Sequence, residues 1–326
     1  MARAVVTGGC GFVGAHLAEA LVERGDDVTI VDNVPPPGHL GRLREDAAFV
    51  QADMRDPEAL AHAIRPGVDV VYHMASVVGV DRYLSRPLDV IDINCGGTRN
   101  VLDLVARTGA AVLVASTSEV FGKNPAVPWP EDGDRVLGPT SADRWTYSTS
   151  KAMAEHMTYA FAGQHGVAAT IVRYFNVYGP RQRPAYVLSR SIHRALNGVA
   201  PVVYDGGSQT RCFTYVEDAV QGTLAAVASP EGGAFNIGSM DEMTVAEAVR
   251  AVAELTGHAA PPSPVDTRVA LGDAYEDLMR RMPDTTRAAR VLGWKCHTSF
   301  RDGLAKTIEW ARRNPWWLDL SDSGAS

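Results

Sequence analysis

The first twenty-one residues constrain the fold of this chain more than any other stretch. A short β-branched run, Ala4 to Thr7, leads into the glycine-rich string GGCGFVG, and an apolar helical pattern then continues to Leu21. Strand, glycine turn and helix in this order are the context that a dinucleotide-binding fingerprint requires. The pattern therefore predicts the first unit of an α/β fold.

The glycines of this turn fit two dinucleotide-binding spacings at once. Gly9, Gly11 and Gly14 satisfy GxGxxG, while Gly8, Gly11 and Gly14 satisfy GxxGxxG. A residue without Cβ lets the backbone approach a pyrophosphate, whose charge is favoured at the helix N-terminus. A glycine turn in another kind of α/β protein is the alternative interpretation.

A second strand strengthens the dinucleotide interpretation. It covers Val28 to Val31 and ends in Asp32, eighteen residues after Gly14. A carboxylate near this spacing receives the ribose hydroxyls of a dinucleotide. Because the same carboxylate would repel a 2′-phosphate, the sequence predicts NAD rather than NADP.

Strand and helix patterns alternate up to about residue 178. Continuous β-branched strands separated by helices predict a doubly wound parallel sheet of the Rossmann type, with helices on both faces. Further predicted strands are Val68–His73, Ala111–Ser116 and Ala169–Tyr174, and the predicted helices are Leu88–Arg107 and Thr146–Gly166. The polar strings follow these strands, at the edge where such sheets bind ligands.

The pattern loosens after Pro180, which predicts a smaller C-terminal α/β lobe that closes over a substrate. We expect a Rossmann domain at 1–178 plus about 212–238, a lobe at 179–211 and 239–315, and a peripheral tail at 316–326. The predicted elements here are helices at Val216–Val227, Thr244–Leu255 and Phe300–Arg312, a strand at Phe235–Ile237 and a loop at Ala259–Pro264.

Tyr147 and Lys151 are the residues that point most directly to chemistry. Four apart on a helix, they project from one face. A nearby ammonium stabilises a phenolate, so we expect Tyr147 to accept a proton near neutral pH. Together with NAD, this pair predicts oxidation of an alcohol.

Composition limits the other classes of function. The net charge of −7 argues against a nucleic-acid partner. No apolar run is long enough to span a membrane, and no signal-peptide pattern precedes the first strand. Four widely spaced cysteines without a CxxC pair favour free thiols in the cytoplasm and no metal site.

The strings TGGCGFVG, VDN, HMAS, STSEVFG, YSTSK, RYFNVYGPRQR and DGGSQTRCFTYVEDAV resemble those of one family. They are similar to the extended short-chain dehydrogenases that act on nucleotide sugars, and the resemblance covers about residues 3–312. The family's Asn94-x-x-Gly97-Thr98 element is present as well. The resemblance implies an NAD-dependent enzyme that oxidises the sugar 4-hydroxyl.

The resemblance also implies roles for individual residues. Tyr147 would be the base, Lys151 would hold the nicotinamide ribose, and Thr117 would contact the same sugar oxygen. The cofactor would be held by Gly8, Gly11, Phe12, Val13, Gly14, Asp32, Asn33, Asp53, Met54, Met74, Ala75, Ser76, Asn94, Tyr147, Lys151, Tyr174 and Val177. The sugar nucleotide would be held by Asn176, Arg181, Tyr204, Gln209, Arg211, Tyr275 and Arg281.

Two of these substrate residues carry specific expectations. Arg211 would pair with the pyrophosphate of the sugar nucleotide. Asn176 would contact the same ligand, and an amide satisfied within its own loop is the alternative for it.

The pair after Thr117 separates the reactions of the family. The 4,6-dehydratases carry Asp then Glu, whereas this chain carries Ser118 and Glu119. Thr-Ser-Glu resembles UDP-glucuronate decarboxylases, in which oxidation at C4 makes the C6 acid a β-keto acid. A positioned acid or base there contributes about 10²–10⁴ in rate. The favoured reaction yields UDP-4-keto-pentose or UDP-xylose.

The segment from Tyr275 to Pro283 points the same way. It is similar to a segment of the bacterial decarboxylase that begins aminoarabinose synthesis, in which the arginine at the position of Arg281 is proposed as a proton donor. Arg144-Trp145 also matches that enzyme. Many relatives use an arginine near Arg281 for pyrophosphate instead, so catalysis and phosphate binding are both open for it.

Other reactions and assemblies remain as alternatives. A UDP-glucose or UDP-glucuronate 4-epimerase would use the same Tyr147 and Lys151, and an NDP-glucose 4,6-dehydratase or a non-catalytic NAD-binding protein is less favoured. The resemblance also implies a homodimer formed by Leu88–Arg107 and Thr146–Gly166. Trp316-Trp317 is expected to fold on the chain's own surface.

Overall fold

A parallel sheet of seven strands forms the centre of the protein. The computed structural model describes residues 1–41, 43–267, 269 and 278–322. The strands are β1 (Arg3–Thr7), β2 (Asp27–Asp32), β3 (Ala48–Gln51), β4 (Val70–His73), β5 (Ala111–Thr117), β6 (Ala169–Tyr174), β7 (Val177–Tyr178), β8 (Val202–Tyr204), β9 (Thr210–Cys212), β10 (Thr214–Tyr215), β11 (Gly233–Ile237), β12 (Glu242–Thr244) and β13 (Ser263–Val265). The central sheet has the order β11-β6-β5-β4-β1-β2-β3.

Helices cover both faces of this sheet, so the doubly wound architecture predicted from the sequence is confirmed. They are α1 (Phe12–Glu23), α2 (Leu43–Asp46), α3 (Pro57–Ala61), α4 (Val80–Ser85), α5 (Pro87–Ile91), α6 (Thr98–Thr108), α7 (Thr146–His165), α8 (Val187–Leu196), α9 (Val216–Ala228), α10 (Val245–Thr256), α11 (Phe300–Arg313) and α12 (Pro315–Leu318). Among the described residues, no helix is long and apolar enough to cross a membrane.

The alternation of side chains along β1 explains why both faces need covering. Val6 belongs to a core cluster with Leu17 and Leu21 of α1, and Val5 to a second cluster with Val101 of α6. Burying each such side chain stabilises the fold by about 1.5–3 kcal/mol. A strand that is apolar on both faces is stable only inside such a sandwich.

The order of the strands places the ligand site. β1 pairs with β2 on one side and β4 on the other, with Thr7 opposite Val31 and His73. The direction of winding reverses at β1, and such sheets bind ligands in the crevice beyond the strand ends at this point. The loops after β1, β2, β4, β5 and β6 therefore converge on one crevice.

A helix was predicted at Leu88–Arg107, and the structure divides it into three parts. A π-helical segment, Asp92–Gly97, lies between α5 and α6. A Cβ on Gly97 would lie only 2.6 Å from the Cβ of Met54. The backbone at Gly97 therefore passes close to the loop after β3, which carries Met54. The wider turn places the side chain of Asn94 against the loop after β4, and such π-turns are frequent at functional sites.

The smaller elements pack beyond the carboxyl edge of the sheet. β7 pairs with β10, β9 with β12 and β8 with β13. The prediction of a loop at Ala259–Pro264 is wrong at its end, because Ser263 begins β13 and pairs with Val202. Main-chain pairing with β8 compensates for the proline content.

The chain end is less peripheral than its sequence suggests. Trp317 of α12 is only 2% exposed and belongs to the larger core cluster. The sequence predicts that Trp316-Trp317 folds on the chain's own surface, and the burial of Trp317 confirms this. Trp317 also contributes to the core.

Candidate active site

One cavity of about 1090 Å³ runs along the carboxyl ends of the central strands. Most of the site residues predicted from the sequence lie in its wall: Gly8, Gly11, Phe12, Val13, Gly14, Asp32, Asn33, Asp53, Met54, Met74, Ala75, Ser76, Thr117, Ser118, Glu119, Tyr147, Tyr174, Asn176, Val177, Arg181, Tyr204, Gln209, Arg211 and Arg281. Tyr275 lies outside the described residues. The cavity is large enough for a dinucleotide beside a second ligand.

The glycine turn forms one end of this cavity. Gly8 has φ +67, and a Cβ there would lie 2.7 Å from the backbone of Ala75. A Cβ on Gly14 would lie 2.2 Å from the carbonyl oxygen of Gly8. Gly11 precedes α1 without a side-chain cap, so the first N–H groups of this helix remain available to a pyrophosphate.

Asp32 is the last residue of β2 and lines the cavity, where the sequence predicts a ribose ligand. Its carboxylate accepts hydrogen bonds from the backbone N–H of Cys10 at 3.0 Å and of Val34 at 3.3 Å. Asp53 lies farther along the wall and forms a bidentate pair with Arg55 at 3.0 and 2.7 Å. The glycine turn and the Asp32 carboxylate together fit NAD.

Asn94 lies behind the cavity wall rather than in it. Its Oδ1 accepts hydrogen bonds from the Ser76 hydroxyl at 3.0 Å and the Val77 N–H at 2.9 Å, and its Nδ2 donates to Ser150 at 3.1 Å. The sequence predicts direct cofactor contact for Asn94. In the structure, the Asn94 amide instead forms hydrogen bonds with Ser76 and Val77 and so fixes the loop that carries them.

Tyr147 is nearly buried on the wall, at 7% exposure. The side-chain hydroxyls of Thr117 and Ser76 lie beside the Tyr147 hydroxyl. Burial raises the pKa of this phenol, and the charge of Glu119 raises it further, while the two hydroxyls lower it. The direction is opposite to the one expected from the sequence, because desolvation disfavours the phenolate in the protein without cofactor.

Lys151 lies one helical turn after Tyr147 and is fully enclosed. Its Nζ donates to the carbonyl oxygen of Ala115 at 2.8 Å. Burial lowers the pKa of Lys151 to about 8, and the charge of Glu155 opposes this shift. Lys151 is therefore held against β5 and lies outside the cavity wall.

Glu119 is held by two arginines. Its Oε2 lies 2.6 Å from Nη1 of Arg144, and its Oε1 lies 3.0 Å from Nη1 of Arg281. Burial raises the pKa of this carboxyl, but Arg281 and Arg144 outweigh burial and lower it to about 2. Glu119 is therefore a permanent anion near neutral pH.

Arg281 retains an unsatisfied donor in this arrangement. Its Nε is buried and has no hydrogen-bond partner among the residues that the structure describes. An unsatisfied buried donor of this kind costs about 1–3 kcal/mol, and more when it is charged. The contact with Glu119 places Arg281 beside the Thr117–Glu119 string.

The proposed substrate residues Asn176, Arg211, Tyr204 and Gln209 also line the cavity. Asn176 has a left-handed backbone, φ +39, and its Nδ2 donates to the carbonyl of Cys212 at 3.1 Å. Arg211 is 7% exposed and donates to the carbonyl of Leu278 at 2.7 Å. Tyr204 accepts a hydrogen bond from Arg190 at 3.2 Å. Gln209 lies in the wall near Arg211.

Arg181 is placed differently from the sequence-based expectation. It lines the cavity, but its Nη1 donates to Oε1 of Glu19 at 2.7 Å and its Nη2 to Nδ1 of His16 at 2.9 Å. Burial lowers the pKa of His16 to about 4, so this imidazole stays neutral and accepts the bond. The guanidinium thus fastens its loop to α1.

Several wall residues were not predicted from the sequence. They are Cys10, Val34, His39, Ala52, Val77, Val78, Gly79, Leu84, Ile93, Ser116, Gln182, Arg183, Ala185, Tyr186, Val187, Arg190, Val202, Val245, Thr267, Trp316 and Leu320. The sequence identified Arg144 only as a motif match and did not predict its pairing with Glu119. Its position next to the YSTSK string was the one local indication that it belongs to the site. No local signal marked His39 or Trp316.

Among the described residues, no cluster of three or more histidine, cysteine, aspartate or glutamate side chains could hold a metal ion. The four cysteines are free thiols.

Comparisons with known proteins agree on the family. Residues 4–238 match the family described as "NAD dependent epimerase/dehydratase family". The UDP-N-acetyl-alpha-D-glucosaminuronate decarboxylase of Bacillus cytotoxicus is 38% identical over 95% of this chain and 98% of its own length. The UDP-glucuronic acid decarboxylase 1 of Xenopus tropicalis is 35% identical over 95% of this chain and 72% of its own length.

Solved structures share the whole fold. The UDP-glucose 4-epimerase of Thermotoga maritima with UDP-glucose has a TM-score of 0.88 at 28% identity, covering 96% of this chain and 99% of that one. MoeE5 in complex with UDP-glucuronic acid and NAD has a TM-score of 0.82 at 30% identity, with coverage of 96% and 99%.

Proposed function

Because the chain belongs to the NAD dependent epimerase/dehydratase family, we propose that it decarboxylates a UDP-linked uronic acid, with UDP-glucuronate as the first candidate substrate. The observation that carries this proposal is the contact between Glu119 and Arg281, whose buried Nε lacks a partner, in the cavity that holds Tyr147. A substrate carboxylate is the group that the Arg281 guanidinium in this cavity wall would pair with.

The cofactor is NAD, and residues of the glycine turn, Asp32 and the Ser76 loop would hold it. When bound, NAD supplies a hydride acceptor for the sugar C4 and a positive ring charge that offsets the raised pKa of Tyr147. Tyr147 would take the proton of the 4-hydroxyl, with Thr117 orienting the same oxygen.

The proposed carbon–carbon cleavage follows from the resulting ketone. The C4 carbonyl is β to the C6 carboxylate, so breaking the C5–C6 bond releases carbon dioxide and leaves the electron pair as an enolate on the C4 oxygen. Tyr147, now protonated, and Thr117 would both donate hydrogen bonds to that oxygen. Such donors act as an oxyanion hole. The raised pKa of Tyr147 favours keeping the proton during this step.

The same geometry disfavours dehydration. A dehydratase needs a proton donor where this chain has Ser118, and the pKa of Glu119 near 2 leaves that residue ionised. Glu119 and Arg281 are better suited to hold and orient an anionic substituent than to donate a proton. This supports a role for Arg281 at the sugar rather than at the pyrophosphate.

The pyrophosphate and nucleotide would lie farther along the wall, near Arg211 and Tyr204. Arg211 lines this part of the cavity, and its planar guanidinium matches the geometry of a phosphate. Asn176, Gln209 and Arg190 would complete this end of the site.

A 4-epimerase is the second candidate, because the Thermotoga maritima structure superimposes closely and carries that name. Tyr147 and Lys151 would serve both reactions. Two uronates are candidate substrates, because the name of the Bacillus cytotoxicus relative specifies the 2-acetamido form rather than glucuronate.

One incubation separates these functions. The purified protein with NAD would be given UDP-glucuronate, UDP-N-acetylglucosaminuronate and UDP-glucose in parallel, and the products weighed by mass spectrometry. We expect a uronate to lose the mass of carbon dioxide, and Tyr147→Phe to lower that rate by about 10²–10⁴. Unchanged product mass with altered C4 configuration, or turnover unaffected in Tyr147→Phe, contradicts the proposal.

We also propose a homodimer in the cytoplasm. Leu88 is 71% exposed and Ile91 43% on α5, and Met153 is 49% exposed on α7. These apolar side chains lie on the two helices that the resemblance assigns to a dimer interface. The free thiols support a reducing compartment.

A further inference from the structure

The last described stretch of the chain reaches the wall of the cavity, and the proposed chemistry gives it no role. Residues 315–322, named here the C-terminal clasp, contribute Trp316 and Leu320 to that wall. His39, from the loop after β2, lies in the same wall. His39 belongs to the loop that begins after Asp32, the proposed ribose ligand, so its contact with Trp316 places the clasp near the side of the cavity that would hold the adenosine.

One side of the clasp is anchored on α8. The carbonyl of Leu318 accepts hydrogen bonds from Nε2 of His193 at 3.0 Å and from Nδ2 of Asn197 at 3.1 Å. Asp322 pairs with Arg194 at 2.6 Å. These contacts fix the clasp to the smaller lobe.

Trp317 adds a buried anchor. Its Nε1 donates to the carbonyl of Gln182 at 2.9 Å. Gln182 follows Arg181, which is fastened to Glu19 on α1. The clasp is therefore joined, through this loop, to the helix that begins at the glycine turn.

The side of the clasp that faces the loop after β2 makes an aromatic contact. Trp316 stacks on His39 with ring centroids 4.0 Å apart and planes inclined by 11°. Trp310 meets Trp316 edge-on at 5.8 Å and fixes its orientation. His39 is exposed and Trp316 half-buried, so this stack can separate while Trp317 stays in the core.

We propose that the C-terminal clasp closes the cavity over the bound dinucleotide and that the Trp316–His39 stack is the contact that opens. This inference deepens the proposed function, because hydride must return to the same sugar after carbon dioxide has left. A closed clasp retains NADH for that interval. The enzyme would then release a reduced UDP-pentose rather than a 4-keto product and free NADH.

The test measures the release of bound NAD and requires no sugar. Protein saturated with NAD is desalted, and the NAD that remains bound is followed over time. We expect His39→Ala and Trp316→Ala each to accelerate NAD release by about three- to tenfold. This factor corresponds to the loss of the stabilisation that one aromatic pair provides. The double variant should release NAD no faster than either single variant, since both remove one contact.

Two controls isolate the stack. His39→Phe keeps an aromatic ring on Trp316 and should release NAD at the wild-type rate. Arg313→Ala removes only an exposed pair with Glu309 just before the clasp and should also match wild type. Because His39 is exposed, comparing His39→Ala with His39→Phe remains decisive even if Trp316→Ala fails to fold.

The proposed closing role of the clasp is refuted if His39→Ala releases NAD at the wild-type rate. It is also refuted if the effects of His39→Ala and Trp316→Ala are additive in the double variant. This outcome is separate from failure of the proposed function. A protein that acts on no UDP-uronate but loses NAD faster as His39→Ala would keep the clasp and reject the decarboxylase.

Discussion

Glu119 shows how single residues define the chemistry of this cavity. Two guanidiniums outweigh the cost of burying its carboxylate and hold its pKa near 2. The residue therefore acts as a fixed anion that orients Arg281. Removing one partner of such a buried pair leaves an uncompensated charge, which costs about 3–5 kcal/mol.

The first prediction concerns the stability of Glu119→Gln as a function of pH. A carboxyl whose pKa is depressed from 4.5 to about 2 on folding contributes stability above pH 4.5 and loses it as the pH falls toward 2. That contribution is on the order of 3 kcal/mol. Glu119→Gln should therefore be less stable than wild type at pH 7, with the gap narrowing below pH 4.5, as measured by urea unfolding.

Glu309→Gln provides the comparison for this measurement. Glu309 pairs with Arg313 at the surface, where such pairs contribute about 0–1 kcal/mol. Its stability should follow wild type at every pH. A gap for Glu119→Gln that stays constant from pH 7 to pH 3 would refute the assignment of a depressed pKa.

Helix α7 organises the site at the scale of an element. Tyr147, Lys151 and Glu155 follow one another at intervals of four residues and share one face. Arg173 of β6 binds both oxygens of Glu155, with Nε at 2.9 Å and Nη2 at 2.6 Å, and the Ser116 hydroxyl donates to the same carboxylate. The helix is thus joined to the ends of two strands.

The second prediction follows from the charge of Glu155. Burial lowers the pKa of Lys151 to about 8, and Glu155 opposes that shift. Activity that needs the ammonium should fall as the pH rises through about 8. In Glu155→Gln, the opposing charge is lost, so this fall should begin about one pH unit lower, which a pH profile of kcat would show.

Ser116→Ala is the matched variant for this profile. It removes a hydrogen bond to Glu155 but leaves the carboxylate charged, so the midpoint of the alkaline fall should not move. A purely structural role for Glu155 would reduce kcat equally at all pH values, which would contradict the electrostatic explanation.

The whole molecule presents an apolar surface that its own fold leaves exposed. Leu88, Ile91 and Met153 lie on the helices proposed for dimerisation. The third prediction is that Leu88→Asp shifts the protein from dimer to monomer in light scattering, because a charge would be buried without a partner. Val199→Asp, at a site 44% exposed beyond α8, should remain dimeric. A monomeric wild type would refute the proposed assembly.

The sequence predicted most of the residues that line the glycine-turn end of the cavity. Gly8, Gly11, Gly14 and Asp32 are separated by short stretches, and strand periodicity places them at one edge of the sheet. Local pattern is sufficient there because each strand end and its loop are contiguous in the chain. The direction of the pKa shift of Tyr147 was not predictable, since burial is a property of the packed cavity.

The sequence alone determined the alternating α/β order, the glycine turn and the tyrosine–lysine pair, because each depends on residues close together in the chain. Only the tertiary structure paired Arg181 with Glu19, 162 residues away, and brought Arg281 to Glu119 and Trp316 to His39. Such contacts form between loops and chain ends whose approach depends on how distant segments of the chain pack. No local periodicity carries that information.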